Sequence, residues 1–252
     1  MTTIEQISEY LDDFLNVGAF SDYGPNGLQV QGQQEVKHIV AGVTASQALI
    51  DAAIENGADT ILVHHGYFWK GEDPRLIGMK YHRIKSLMDA NINLLAYHLP
   101  LDAHPQLGNN AELARLLGLT TEGGFGRGKG PDIGAYGHLP QAMSGEALAT
   151  HIGRVLSRKP LHIAGNEHEI TKLAWCTGGA QSYIEDAVAL GVDAYITGEV
   201  SEHTVHVARE YGIHFYAAGH HATERYGVKA LAEHLSQRFD LKQEFVDIDN
   251  PV

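Results

Sequence analysis

The sequence is poor in cysteine and lacks long apolar runs. Its 252 residues include one cysteine, Cys176, which excludes an intrachain disulfide and any cysteine-rich metal site. Cys176 lies in an apolar stretch, where a thiol is usually buried and inert. No apolar run is long enough to cross a bilayer, and the N-terminus from Met1 to Gln6 lacks the features of a secretory signal. We therefore expect a cytoplasmic protein with no membrane segment.

Positive charge is also scarce. The chain has 18 Lys and Arg against 31 Asp and Glu, for a formal charge of −13. A protein that grips a phosphate backbone needs a concentrated basic face, and the longest basic cluster here is Arg158 and Lys159. The composition therefore disfavours general nucleic-acid binding.

Histidine, by contrast, is abundant, with 16 residues. Several occupy ordinary helix or strand positions and are expected to be solvated: His151, His162, His206 and His234. Only histidines at strand ends near carboxylates are informative about function.

Apolar strands alternate with amphipathic helices, which predicts an α/β fold with parallel strands. The predicted strands cover 38–43, 59–63, 92–97, 170–176, 193–197 and 213–217, followed by an extended segment at 245–248. The predicted helices cover 4–17, 47–56, 79–90, 110–117, 144–156, 181–190, 201–211 and 223–238.

The two β-α-β stretches resemble each other. Residues 38–66 align without a gap on 172–200, with Gly57 matching Gly191 and Asp59 matching Asp193. This internal repeat predicts two similar α/β lobes. The first lobe would cover 1–122 and be completed by 224–252, and the second would cover 123–223.

Glycine is concentrated in residues 123–137. A phosphate-binding loop would need Ser or Thr and a helix after its lysine, but Lys129 is followed by Gly130 and Pro131. We therefore interpret this segment as a linker or hairpin between the lobes.

Two adjacent histidines, His64 and His65, follow the predicted strand at 59–63. Neighbours on a strand point to opposite faces, so packing against one core explains at most one of them. If the chain turns there, both imidazoles can aim at a point beyond the strand end, where α/β proteins bind ligands. The pair therefore suggests a metal site. The alternative is one packed and one solvated histidine.

A histidine and a carboxylate four residues apart follow the third strand of each repeat: His98 with Asp102, and His220 with Glu224. These side chains are further candidate ligands. Alternatively, the first pair forms a local loop hydrogen bond and the second is a helix-start pair. Glu199 stands where the first repeat has His65, so it could line the site or lie on the surface.

Together these groups suit a site with two metal ions. Imidazole and carboxylate ligands fit Zn²⁺, Mn²⁺ or Fe²⁺. Six candidate groups exceed the three protein ligands of a typical catalytic zinc, and Glu224 could bridge two ions together with a water. The ions would activate the metal-bound water and attract an anionic small-molecule substrate.

Six motif stretches identify a family: 22–30, 42–46, 63–69, 98–105, 196–201 and 218–225. With them, the chain resembles the NGG-interacting-factor-like family, whose members are commonly labelled GTP cyclohydrolase 1 type 2 homologs, and within it the bacterial YbgI-type branch. The resemblance covers nearly the whole chain and is weakest at 123–170.

The resemblance implies a two-lobed α/β fold, a two-metal site in the cleft between the lobes, and a ring-shaped homohexamer. Its metal ligands correspond to His64, His65, Asp102, His220 and Glu224. His98 would be a further ligand or a neighbouring group.

Two functions remain open at this point. One is a metal-dependent hydrolase that opens the imidazole ring of GTP or a related nucleotide, with His98 or His221 supplying a proton to the leaving nitrogen. The other is a metal-dependent scaffold or partner-binding protein without catalysis.

Overall fold

The structure, a computed structural model, describes residues 1–126 and 130–252. The chain forms two compact units. The first unit comprises Met1–Leu101 and Gly227–Asp249, and the second comprises Asp102–Tyr226 and Asn250–Val252. These units are defined by contacts, whereas the lobes predicted from the repeat are defined by sequence similarity. The predicted lobe limits therefore remain a prediction.

Strands and helices alternate along the described chain. The strands are β1 (Thr2–Thr3), β2 (Gly27–Val30), β3 (Glu35–Val36), β4 (His38–Thr44), β5 (Thr60–His65), β6 (Asn93–Ala96), β7 (Thr120–Phe125), β8 (Gly134–Met143), β9 (Leu161–Ile163), β10 (Ile170–Cys176), β11 (Ala194–Thr197), β12 (His214–Ala217) and β13 (Lys242–Phe245). The α-helices are α1 (Ile4–Phe14), α2 (Gln47–Glu55), α3 (Gly78–Asp89), α4 (Leu99–Ala103), α5 (Asn109–Leu117), α6 (Gly145–Leu156), α7 (Ile184–Ala189), α8 (Glu202–Tyr211) and α9 (His220–Phe239). Within the described residues, no helix has the length and apolar character needed to cross a membrane.

The first unit is built on a sheet of order β13-β4-β5-β6-β2, in which only β2 runs antiparallel to its neighbour. Ile39, Ile61 and Leu94 lie on its central strands and are fully buried. Such continuous burial is expected of parallel strands covered on both faces.

The second unit has a sheet of order β7-β8-β10-β11-β12-β9. Its central strands β10, β11 and β12 are parallel to one another. Each of the outer strands β7, β8 and β9 pairs antiparallel with its inner neighbour. Trp175 and Phe215 are fully buried in its core. Cys176 is also buried, and burial, followed by the charges of Asp102 and Glu224, raises the pKa of its thiol well above the usual value. The structure thus confirms the predicted α/β class and a buried thiol.

The repeat extends to the register of the strands. Ile39 pairs with Thr60 in the first unit, and the equivalent Leu173 pairs with Ala194 in the second. The third strand follows the same rule, because Thr60 pairs with Asn93 and Ala194 pairs with His214. The internal repeat predicted from sequence is therefore confirmed.

In each repeat, an aspartate directly before the second strand accepts hydrogen bonds from the backbone at the start of the first strand. Asp59 accepts hydrogen bonds from the backbone N–H groups of Lys37 and His38 at 2.7 and 2.9 Å. Asp193 accepts the equivalent bonds from Thr171 and Lys172, both at 2.9 Å. The matched aspartates therefore have a structural role.

We expect Asp193→Ala to lower the stability of the second unit by about 1–3 kcal/mol, because it leaves two backbone donors without their acceptor. Urea unfolding followed by tryptophan fluorescence measures this loss. Glu210→Ala, at an exposed position of α8, is the control and should leave the midpoint unchanged. Equal midpoints for the two variants would contradict this structural role.

The described parts of the glycine-rich segment include residues of two paired strands in the second unit. β7 pairs antiparallel with β8, with Phe125 opposite Gly134. Lys129, the residue on which a phosphate loop would depend, lies outside the described residues.

The predicted start of the last helix was wrong by three positions. α9 begins at His220 rather than at 223, so Glu224 lies one full turn into the helix. The Thr223 hydroxyl, inside this helix, donates to the Gly219 carbonyl one turn back, at 2.9 Å. The final extended segment also lies earlier than predicted, because β13 ends at Phe245.

The expectation of solvated histidines was wrong for three of the four, and only His206 is exposed. His151 is half-buried, and its Nε2 lies 3.1 Å from the Leu117 carbonyl oxygen. A ring nitrogen of His162 lies 3.0 Å from one of His214, and its ring stacks on Tyr216. His234 bonds the Tyr10 hydroxyl at 2.6 Å and stacks on Phe14. Hydrophobic periodicity does not reveal aromatic partners from distant segments, so these contacts could not be predicted.

Candidate metal centre

The first unit brings three histidines together at the carboxyl edge of its parallel strands. His64 and His65 end β5, and His98 follows β6. One ring nitrogen from each lies within 4.8 Å of those of the other two. His64 is fully buried, whereas His65 and His98 are partly exposed. The chain therefore places three nitrogen donors where α/β proteins bind ligands.

Hydrogen bonds orient the rings of His64 and His65. The His64 Nδ1 lies 2.9 Å from the carbonyl oxygen of Tyr97, which can only accept, so Nδ1 carries the proton. The His65 Nδ1 bonds the Thr44 hydroxyl at 3.1 Å. Metal-binding histidines typically engage an outer partner through the nitrogen that does not coordinate. Both rings are therefore arranged to coordinate through Nε2.

A buried carboxylate orients His98. Its Nδ1 lies 2.7 Å from Asp22 Oδ1. Burial raises the pKa of Asp22, but His98, Asn26 and the Tyr23 N–H lower it by more, so the net pKa is below its ordinary value. Asp22 is thus an ionised partner for His98, as in carboxylate–histidine–metal arrangements.

The turn after the histidine pair depends on a glycine. A Cβ on Gly66 would lie 2.1 Å from the side-chain oxygen of Gln29 and 2.6 Å from the Cβ of Ala96. That Gln29 oxygen accepts the N–H of Tyr67 at 2.7 Å and holds the turn. Close packing at Gly66 therefore lets the chain leave the sheet directly after His65.

The second unit gathers Asp102, His220 and Glu224. Asp102 and Glu224 are buried, with 5% and 2% of their surface exposed. The Nε2 of His220 lies 3.2 Å from Glu224 Oε2, and a carboxylate oxygen of Asp102 lies within 4.8 Å of one of Glu224. Two buried carboxylates and an imidazole are a donor set that binds divalent cations.

Glu199 supports His220 from its other side. Glu199 Oε1 lies 2.7 Å from His220 Nδ1. Glu199 therefore contacts the Nδ1 of His220 in the same way that Asp22 contacts the Nδ1 of His98.

His220 carries a proton in the metal-free protein at neutral pH. Burial lowers its pKa, but hydrogen bonds and charges from Glu224 and Glu199 outweigh burial and raise the pKa to about 9. Protonation therefore stabilises the metal-free fold below the unfolded pKa of about 6.5, and that stabilisation is lost as pH rises through about 9. A divalent ion that binds His220 must displace this proton.

We expect Glu224→Gln to lower the pKa of His220 in metal-free protein, because the amide removes a negative charge from its Nε2 side. A titration of the imidazole followed by NMR measures this value. Glu233→Gln, at an exposed position on the same helix, should leave the pKa unchanged. An unaltered pKa in Glu224→Gln would contradict the contact.

Buried amides and a hydroxyl support Asp102. Its Oδ1 accepts hydrogen bonds from Asn109 at 2.8 Å and from the Thr177 hydroxyl at 3.2 Å. The backbone N–H of Thr177 donates to Asn110 at 3.1 Å. From the sequence, Asn110 was predicted only to begin the helix over 110–117, and Thr177 was not singled out. The one available signal was an Asn pair at the start of a helix close to a candidate ligand.

Gly178 packs closely against this group of candidate ligands. It has a φ of +69°, and a Cβ there would lie 2.0 Å from Glu224 Oε1 and 3.1 Å from His220 Nε2. A side chain at this position would collide with Glu224 and come close to His220. Gly178 follows β10 without a recognisable motif, so it could not be predicted from the sequence.

His221 differs from the other candidates. It is buried, at 9% exposure, and its backbone N–H donates to the backbone oxygen of Val252 at 3.0 Å. His221 directly follows His220, so it lies beside the candidate ligands of the second unit. The described residues as a whole include groups that could hold a metal ion.

The chain matches known proteins over nearly its whole length. A family model described as Duf34/NIF3 (NGG1p interacting factor 3) matches residues 2–251. A Pseudomonas aeruginosa protein named "GTP cyclohydrolase 1 type 2 homolog" is 54% identical over 250 residues, covering 99% of this chain and 97% of that protein.

Solved structures share the fold over the full length. The protein ybgI, described as of unknown function, is 52% identical and has a TM-score of 0.95, with 100% of both chains covered. A protein from Thermus thermophilus is 33% identical and has a TM-score of 0.91, also with 100% of both chains covered.

Proposed function

The chain belongs to the Duf34/NIF3 family, and on that premise we propose that it is a metal-dependent hydrolase of an anionic nucleotide such as GTP. The name of its relative in Pseudomonas aeruginosa supports the choice of nucleotide. The observation that carries the proposal is the orientation of the three histidines in the first unit, each hydrogen-bonded through Nδ1. This arrangement suits metal coordination better than packing.

The proposed ligands of two divalent ions per chain are His64, His65, Asp102, His220 and Glu224. Glu224 is the proposed bridge, because a buried carboxylate has two oxygens to share. Imidazole and carboxylate donors suit zinc, manganese or iron. When bound, such ions supply Lewis acidity and an activated water.

The chain itself would supply orientation and a proton. Ring hydrolysis adds water across a carbon–nitrogen bond, so the leaving nitrogen must receive a proton. His98 is one proposed donor, because the Asp22 carboxylate holds its imidazole in place through Nδ1. The Nε2 of His98 cannot both coordinate an ion and carry that proton. His221 is the other proposed donor.

The proposal also includes a cytoplasmic, ring-shaped homohexamer, as the family resemblance implies. Apolar side chains around the start of α3 support a subunit contact, since Leu76, Ile77 and Met79 are 48%, 57% and 66% exposed. Light scattering should give the mass of six chains, and a monomer mass would contradict this part.

The test of the proposed activity is hydrolysis of GTP by protein loaded in turn with zinc, manganese or iron. We expect turnover that chelation abolishes and metal restores. Asp102→Asn should lose turnover, whereas the exposed α9 variant Glu233→Gln should keep it. Equal rates with loaded and chelated protein would contradict a metal-dependent hydrolase.

The alternative is a metal-dependent scaffold, and one observation favours it: the family description names an interaction with NGG1p. Chelation separates the two functions. A structural site should lose assembly or thermal stability when the metal is removed, whereas a catalytic site should lose turnover while the assembly persists.

A further inference from the structure

The basic pair Arg158–Lys159 lies beside the second group of candidate ligands. It connects α6 to β9, and β9 runs antiparallel to β12 with Leu161 opposite Ala217. The residues that precede β9 are therefore next to the carboxyl end of β12, directly before His220. The topology brings the longest basic cluster of an acidic protein to this edge of the sheet.

The packing of Arg158 requires a glycine. Gly219 has a φ of +103°, and a Cβ there would lie 2.4 Å from Arg158 Nε. Arg158 Nε is buried and has no hydrogen-bond partner among residues 1–126 and 130–252. Within the described part of the chain, neither Arg158 nor Lys159 forms an ion pair with a carboxylate side chain. A guanidinium in this position has unused capacity to bind an anion.

A cavity of about 590 Å³ adjoins the pair and is lined by Arg158, Lys159, Glu199 and Val252 among others. Glu199 is the hydrogen-bond partner of His220. The Glu199 side chain therefore connects the cavity wall to His220, a candidate metal ligand. A ligand seated here could reach the metal-binding group without a rearrangement of the sheet.

Backbone oxygens of the tail, residues Asn250–Val252, already occupy acceptor positions in this cavity. The Pro251 carbonyl accepts from Arg158 Nη1. The Val252 backbone oxygen accepts from the N–H of His221, in the first turn of α9, at 3.0 Å. An arginine and a helix N-terminus that hold two oxygens present the donors used by phosphate sites.

We propose that Arg158, Lys159 and the N-terminus of α9 form a binding subsite for the phosphoryl groups of a nucleotide, and that the tail competes for it. The subsite rests on the proposed function and extends it by naming the group that holds the anionic part of the substrate. Phosphoryl oxygens replace the two backbone oxygens of the tail. The candidate metal ligands beside Glu199 then remain available to the rest of the nucleotide.

The experiment is calorimetric titration of inorganic pyrophosphate into chelated, metal-free protein. We expect Arg158→Gln to weaken binding by about 10-fold or more, because a charge-assisted pair of hydrogen bonds is lost. Lys159→Gln should weaken it by a smaller factor. Deletion of residues 250–252 should strengthen it by about 3-fold or more, since the competing segment is removed.

Arg154→Gln is the matched control, because Arg154 is an exposed arginine of the neighbouring helix α6 that does not line the cavity. Thermal unfolding verifies that each variant is folded. Unchanged affinity in both Arg158→Gln and Lys159→Gln, or in the tail deletion, would overturn the proposal. Because metal and turnover are absent from the measurement, pyrophosphate binding without GTP hydrolysis would support the subsite while contradicting the hydrolase.

Discussion

Glu224→Ala is expected to lower the metal content below two ions per chain and to weaken metal affinity by more than about 100-fold. Loss of an outer partner alone typically costs about 10–100-fold, and Glu224 is a proposed direct ligand. Its carboxylate is 2% exposed and lies 3.2 Å from the Nε2 of His220. Elemental analysis after dialysis against a limiting metal concentration measures the content.

Glu233→Ala is the control, since it removes an exposed carboxylate from the same helix. This variant should retain the wild-type metal content. Two ions per chain in folded Glu224→Ala would remove Glu224 from its bridging role.

Gly178→Ala is expected to reduce metal affinity by about 10-fold or more without changing any ligand. The new Cβ would lie 2.0 Å from Glu224 Oε1, so the carboxylate or the loop must move. Misplacement of a supporting group by this amount is comparable to the loss of an outer partner. Metal affinity is measured by competition with a chelator of known strength.

Gly191→Ala separates the collision from backbone strain. Gly191 has a φ of +65° and lies in the same unit, but a Cβ there meets nothing within 4 Å. Both variants should lose about 1–2 kcal/mol of stability, because alanine is strained at positive φ. Only Gly178→Ala should lose metal affinity. Equal affinity in the two variants would show that the space around Glu224 is unimportant.

Sequence alone was sufficient for features repeated at fixed spacing. The match of Asp59 to Asp193 predicted the repeat, and the structure shows the same strand register and backbone hydrogen bonds in both units. The histidine pair was predicted to follow a strand that ends at residue 63, but β5 extends through His65. The rings of His64 and His65 nevertheless lie together, with centroids 4.6 Å apart.

The outer partners could not be predicted, because they come from distant parts of the chain. Asp22 is 76 residues away from His98 in sequence and lies in an irregular segment before β2. Asn109 directly precedes the predicted helix over 110–117, yet its side chain is fully buried against Asp102. Such contacts depend on tertiary packing, which local periodicity does not encode.

The most direct test of the central claim is anomalous X-ray scattering from metal-loaded crystals at the absorption edge of the bound metal. The proposal predicts two peaks per chain, with one about 2.0–2.1 Å from the Nε2 of His64 if the metal is zinc, and with Glu224 coordinating both ions. Peaks outside coordination distance of these atoms, or coordination through the Nδ1 of His64, would contradict it.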